Sequence, residues 1–196
     1  MRSPKIILLS CFLLLFCSLK AQAAIYEFDP VYSNIVFKVK HLSGYTIGLF
    51  NRFGGVLEID DQTGQPTLVD STVDVRSIYT RNDIRDRDLA GPDIFDAKKF
   101  PQARFSGKKF ENGKLTGDLT IKGKTKPVTF DYTLGEVTKD QWGRTKIAVS
   151  ANCVINRKDF DITYNRTLDK GQLLLGDQVE LQIEIEGVLR ENNSAQ

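Results

Sequence analysis

Along most of its length the chain alternates apolar and polar residues with a period of two, the repeat that places every second side chain of a strand on one face. The clearest run lies near the C-terminus, where Val179, Leu181, Ile183 and Ile185 alternate with Glu180, Gln182, Glu184 and Glu186. Such a segment has one dry face and one wet face. Ile35, Phe37, Val39 and His41 repeat the pattern near the start, with Lys38 and Lys40 on the opposite side. Between these two come Phe53-Gly55-Leu57-Ile59, Val73-Val75-Ser77, Ala103-Phe105, Leu115-Gly117-Leu119-Ile121, Val128-Phe130-Tyr132-Leu134 and Ile147-Val149-Ala151-Cys153. The expectation is about eight strands, the number that closes an antiparallel barrel with room for one ligand.

The connectors read as hairpin turns rather than helices: Asp60-Asp61-Gln62-Thr63-Gly64, Glu111-Asn112-Gly113, Lys122-Gly123-Lys124 and Asp140-Gln141-Trp142-Gly143. The exception is residues 81–98, where Ile84, Leu89, Ile94 and Phe95 recur among charges near a helical repeat, interrupted by Gly91-Pro92. A short helical segment over one barrel end fits there. Alternation alone would also suit a two-sheet sandwich. The dry face is too rich in large residues for that to be preferred: Phe37, Phe53, Phe105, Phe130 and Tyr132 lie within strands, and Phe28, Phe50, Phe95, Phe100, Phe110 and Phe160 near strand ends. An outer-membrane barrel reverses the arrangement, with its apolar residues facing outward.

The first 23 residues stand outside this pattern. Arg2 and Lys5 precede an apolar run from Ile6 to Leu19, and Ala21-Gln22-Ala23 has the small-x-small form of a cleavage site. The run is shorter than the roughly 20 apolar residues that span a bilayer, and Cys11 and Cys17 are poorly placed for lipoprotein acylation. A cleaved signal peptide over 1–23 is therefore expected, with export to the periplasm, a single barrel domain over 24–190 and a frayed polar tail over 191–196. Cleavage would remove Arg2, Lys5 and Lys20, taking the basic count from 27 to 24 against 25 acids. That balance carries no nucleic-acid footprint. It would also leave Cys153 as the lone thiol, with a buried inert role expected.

Parts for metal or hydrolytic chemistry are scarce. One histidine and one retained cysteine make no zinc site, and no Ser-His-Asp arrangement or phosphate-cradling glycine loop stands out. Asp83, Asp86 and Asp88 are spaced like a weak cation loop, but Arg81, Arg85 and Arg87 interleave with them, and mutual neutralisation is the simpler reading. No cofactor and no metal are expected. His41 ends its strand on the dry face, either as a core histidine or as a polar contact at the barrel mouth.

Several segments, in order, resemble the YceI-like family of lipocalin-like, polyisoprenoid-binding periplasmic proteins. They are Asp29-Pro30 with Ser33-x-x-x-Phe37-x-Val39-x-His41, Gly48-Leu49-Phe50-x-x-Phe53-x-Gly55, Thr80 with Asn82, and Arg85-Asp86-x-Asp88-Leu89. Phe95-Asp96, Phe100-Pro101-x-x-x-Phe105, Arg157-x-Asp159-Phe160 and Asp177-x-Val179 follow the same order, and the stretch from Gly117 to Val128 is the most specific. The resemblance covers Tyr26 to Leu189. It implies a hydrophobic pore for the isoprenoid tail of a quinone-like or polyprenyl molecule. The matching lining positions are Phe37, Val39, His41, Phe50, Phe53, Phe95, Phe100, Phe105, Leu119 and Phe160. Family members often carry histidine where this chain has Tyr32 and Asp88, and glycine where it has Asp161; Asp88 beside Arg85 and Arg87 reads as a stabilising ion network at the lid.

These readings converge on a periplasmic lipid-binding or transport protein that is not an enzyme. Its expected partner is an isoprenoid or other long-chain apolar lipid. Nucleic-acid binding and stable membrane insertion are not expected, and a homodimer through a flat outer face fits the barrel. Two other classes stay open: a docking module using residues 81–98 on a barrel scaffold, and an enzyme acting on a lipid head group with His41 as base.

Overall fold

Strand pairing runs in one unbroken meander. The computed structural model describes residues 23–168, 171 and 173–191. All of the expected signal peptide except Ala23, which opens β1, and nearly all of the expected tail lie outside these residues. Twelve strand segments make one antiparallel sheet: β1 (Ala23–Phe28), β2 (Asn34–His41), β3 (Gly44–Phe50), β4 (Phe53–Asp60), β5 (Pro66–Asp74), β6 (Ile78–Tyr79), β7 (Gln102–Glu111), β8 (Lys114–Ile121), β9 (Lys124–Leu134), β10 (Thr138–Lys139), β11 (Thr145–Asn156) and β12 (Leu175–Leu189). Four pairs of consecutive segments, β1 with β2, β3 with β4, β5 with β6 and β9 with β10, are halves of bent strands. The walls therefore number eight. Closure comes through β12, which pairs with β11 along one side and with β2 and then β1 along the other.

Local chemistry sets the bends. Between β1 and β2, Ser33 is buried; its hydroxyl donates to the Asp29 carbonyl at 2.6 Å and accepts from the Glu186 amide at 2.9 Å. The corner is thus stapled to β12. The tight turns β7–β8 and β8–β9 have φ of 51° and 73° at Asn112 and Gly113, and 50° and 72° at Lys122 and Gly123. Two successive positive φ values define the type I′ hairpin turn, whose twist suits the flanking strands.

The third wall differs from the expected Val73-Val75-Ser77 strand. Its main segment is β5, and Val75–Ser77 is a short 3₁₀ helix. Asp74 explains the interruption: its carboxylate accepts from the Arg76 amide, and the Ser77 hydroxyl donates to the Asp74 carbonyl at 2.6 Å. Side-chain bonds to nearby backbone here displace the ladder. β1 and β3 were not expected either. In β3 the alternation is inverted: the apolar residues Tyr45, Ile47 and Leu49 face outward, and Thr46 and Gly48 face inward with Phe50.

Hydrogen bonds from Arg76 and Arg52 hold the Asp74 carboxyl well below the usual carboxylate range. A carboxylate with a depressed folded-state pKa contributes stability that is full above its unfolded value, near pH 4, and is lost as pH falls through the folded value. Wild type should therefore lose stability below about pH 4 more steeply than Asp74→Asn. Urea midpoints measured at pH 7 and pH 3 would test this; parallel losses in both proteins would exclude it.

The segment between β6 and β7 carries helix α1 (Asp83–Ala90) and a series of turns over the end of the barrel that also holds the β2–β3 and β8–β9 turns. This is the expected short helical cover. The Asn82 side chain caps α1 by accepting from the Ile84 and Arg85 amides. At the opposite end, Tyr26, Leu57, Ile59, Leu115, Phe130 and Ile147 are buried together as a packed core.

Candidate ligand cavity

From the lid a cavity of about 790 Å³ runs down the barrel to Leu57, Leu115 and Phe130 at the edge of the packed core. β2 directs Ile35, Phe37, Val39 and His41 into it, and β12 directs Val179, Leu181, Ile183 and Ile185, so the two clearest alternations in the sequence face each other's space. Leu89, Ile94 and Phe95 of the lid cover it. Aromatic contacts tie lid to wall: Phe50 lies 5.7 Å from Phe37 and 6.3 Å, edge-on, from Phe95, measured between ring centroids. Gly48 makes room for this stack, since a Cβ there would sit 2.3 Å from the Phe37 ring.

Eight of the ten lining positions expected from the resemblance are on the cavity: Phe37, Val39, His41, Phe50, Phe95, Phe105, Leu119 and Phe160. Phe53 and Phe100 are not. Phe100 packs against the β8–β9 turn instead, its ring 2.7 Å from where a Gly123 Cβ would stand. Tyr132 and Phe110, also expected on the dry face, stack on each other at 5.5 Å and do not line the cavity. The reading centred on aromatic residues passed over Val149, Ala151 and Ile155 of β11, whose own alternation already placed them inward.

The polar lining is concentrated toward the lid and the β11–β12 connection, with His41, Arg85, Arg87, Asp88, Arg157 and Tyr164. Two of these are committed to holding the fold. Arg85 donates to the Thr80 hydroxyl at 2.8 Å and to the Thr80 carbonyl at 2.6 Å, while Asp86 accepts from the Thr80 amide and hydroxyl. Thr80 is buried, so this latch ties the lid to the end of β6. The expected Asp88 ion network is absent: among the described residues no ion pair involves Asp83, Asp86 or Asp88, because Arg85 is spent on Thr80. Arg157 is 5% exposed and donates to the carbonyls of Gly176, Ile162 and Tyr164 and to the Asp177 carboxylate. It clamps the connection between β11 and β12 to the cavity wall. Asn165 bonds both the amide and the carbonyl of Leu175.

Among the described residues no group of three or more His, Cys, Asp or Glu side chains is placed to hold a metal ion. Cys153 is partly buried against the core, and burial pushes its thiol up to about 12. The folded protein should therefore react with a thiol reagent at pH 8 far more slowly than the urea-unfolded chain, by at least about 100-fold. Equal rates in the two states would show that the thiol is free.

The model of the YceI-like domain family matches residues 26–187. The chain belongs to the YceI-like family. It is 36% identical over 183 residues to a UPF0312 protein of Yersinia pestis (strain Pestoides F), covering 89% of this chain and 92% of that protein. A UPF0312 protein of Staphylococcus aureus (strain N315) is 31% identical over 163 residues, covering 82% and 95%. Among solved structures, the YCEI protein of Campylobacter jejuni superposes with a TM-score of 0.65 at 35% identity, over 74% of this chain and 85% of that one. BcnA of Burkholderia cenocepacia gives 0.68 at 25%, over 81% and 98%. A polyisoprenoid binding domain from Saccharophagus degradans shares the fold, at 0.64 and 13%, over 84% and 98%. Of Tyr32 and Asp88, the two positions where resemblance to the YceI-like family leads one to expect histidine, only Asp88 borders the cavity. Tyr32 is exposed, with the buried Lys146 ammonium 4.6 Å over its ring.

Proposed function

We propose that this YceI-like protein binds and carries a long apolar lipid of isoprenoid type in the periplasm, and does no chemistry on it. The observation that carries the reading is a cavity of about 790 Å³ whose walls are mostly apolar, with polar side chains gathered mainly toward one end. Taking a methylene as water-sized, about 30 Å³, there is room for about 25 such groups, roughly five isoprene units. At about 0.8 kcal/mol per buried CH₂ this is about 20 kcal/mol of gross driving force. Association costs of about 4–15 kcal/mol are smaller. Burial alone is thus strong enough to retain the tail without a specific polar contact.

The Saccharophagus degradans domain of the same fold is described as polyisoprenoid binding, which favours a branched prenyl tail over a straight acyl chain. The leader-like residues 1–23 support export. Residues 81–98 supply cavity wall through Leu89, Ile94 and Phe95, which favours a lid over a free-standing docking module.

Native mass spectrometry of the protein purified from its own cell, followed by organic extraction, is the test. A prenyl or quinone mass, recovered chemically unchanged, is the expected result. An empty protein that also fails to take up added polyprenyl quinone would overturn the reading.

A further inference from the structure

The lid side of the barrel carries a second feature, on its outer surface. Toward the lid, β3 is hydrogen-bonded to a neighbouring strand only at Leu49 and Phe50, which pair with Tyr79 and Ile78 of β6. Residues 44–48 have no strand neighbour on that side among the described residues, and Thr80 at the root of the lid lies beside Gly48. The wall has a seam here that leads to the cavity through Thr46 and Phe50.

Apolar side chains flank this seam on the outside. Tyr45 and Ile47 of β3 are 58% and 59% exposed, and Ile84, on the first turn of the lid helix, is 66% exposed. Leu49 and Tyr79 are paired, so they join the β3 residues to the lid. At the barrel mouth the strip continues through Leu42, whose amide donates to the Leu174 carbonyl. Lys40 and Lys38 stand opposite Tyr45 and Ile47 in the register and share their outer face, with the Lys38 ammonium 4.3 Å over the Tyr45 ring. Lys38 pairs with Glu180, whereas among the described residues Lys40 and Arg81 form no ion pair. Aliphatic and tyrosine side chains interleaved with long basic ones are what the interfacial layer of an anionic bilayer accommodates: the apolar parts enter the acyl boundary and the ammonium groups stay at the head groups.

We infer that this flank of β3 and the lid is the surface by which the protein docks on an anionic lipid bilayer, with the β3–lid seam turned toward the membrane. The inference rests on the carrier reading for its purpose, since a ligand with a long apolar tail then passes between bilayer and cavity without crossing water. The docking itself has its own readout.

The test is co-sedimentation of the purified protein with phosphatidylcholine vesicles, with and without phosphatidylglycerol. Binding should require phosphatidylglycerol and weaken with salt. The double variant Ile47→Glu/Ile84→Glu, at two exposed positions, should reduce the bound fraction about tenfold or more. Its uptake of a polyprenyl quinone from vesicle-free solution should be unchanged. Trp142 lies in the β10–β11 turn at the far end of the barrel. A tryptophan reporter introduced by Tyr45→Trp in a Trp142→Phe background should shift to the blue on vesicles, whereas wild-type Trp142 should not. The inference is overturned if neither vesicle type binds or if the double variant binds as well as wild type. It is also overturned if the double variant splits a dimer, making the strip a contact between copies. Loss of quinone uptake in wild type would instead remove the carrier reading and leave vesicle binding as measured.

Discussion

Ala151→Trp should shorten the longest apolar chain the barrel accepts while leaving the protein folded. Ala151 is 7% exposed, lies on the cavity, and stands opposite Tyr132 and Ile183 on neighbouring strands. A substitution that enlarges a side chain in a filled core forces strain of about 1–3 kcal/mol. Here the indole has open volume to enter, so the cost to stability should stay at or below the lower end of that range. The same volume is lost to a ligand. Each CH₂ that no longer fits forfeits about 0.8 kcal/mol, so displacing about four of them weakens binding by more than 100-fold. Affinities for a prenyl series of increasing length would show wild type gaining with each unit and the variant levelling off earlier. Equal slopes in the two proteins would mean that the tail does not occupy this cavity.

The largest effect on stability is expected from Arg157. Its guanidinium satisfies three backbone carbonyls and pairs with Asp177 while almost wholly buried. Arg157→Met keeps the apolar stem but leaves those acceptors without their donor and Asp177 without this partner. Removing one member of such a buried arrangement costs about 3–5 kcal/mol. Lysine, a single point charge without the planar fork, should recover only a small part of that loss. Urea unfolding with an unchanged m value would measure both variants. A loss under about 1 kcal/mol would show that water replaces the guanidinium without penalty.

Much of the barrel was legible in the sequence because burial on one face writes itself as period two. β12 and β2 show this best: each alternation expected from the sequence became one cavity wall and one outer face. Legibility failed where a different force set the backbone. At Asp74 to Ser77 side-chain bonds to the main chain ended the strand, and neither residue type nor spacing distinguishes that from a polar outer face. β3 was missed because its pattern is inverted, with Tyr45, Ile47 and Leu49 outward and Thr46 and Gly48 inward. Among the site residues, position in a strand predicted better than ring size. Val149 and Ala151 border the cavity through alternation alone, whereas Phe100, outside any strand, turned toward Gly123. The Asp88 network failed because Thr80, six residues before Asp86, claimed Arg85; that contact depends on how the lid folds back and leaves no periodic trace.

The bends at β1/β2, β3/β4 and β5/β6 fall in three adjacent walls, and above them the third wall shrinks to the two residues of β6. The barrel is therefore a closed hoop at its packed end and a slit sleeve at its lid end. Among the described residues the ladder thins toward the lid, where residues 44–48 of β3 have no strand neighbour on the lid side and β9 pairs with β11 only over residues 131–134, while the Thr80, Arg85 and Asp86 contacts fold the lid back on the end of β6 beside Gly48. Local opening of those lid contacts would break none of the pairs between β11 and β12. On the carrier reading, the hydrogen bonds that hold the fold and those that would yield to a long guest are thus different ones.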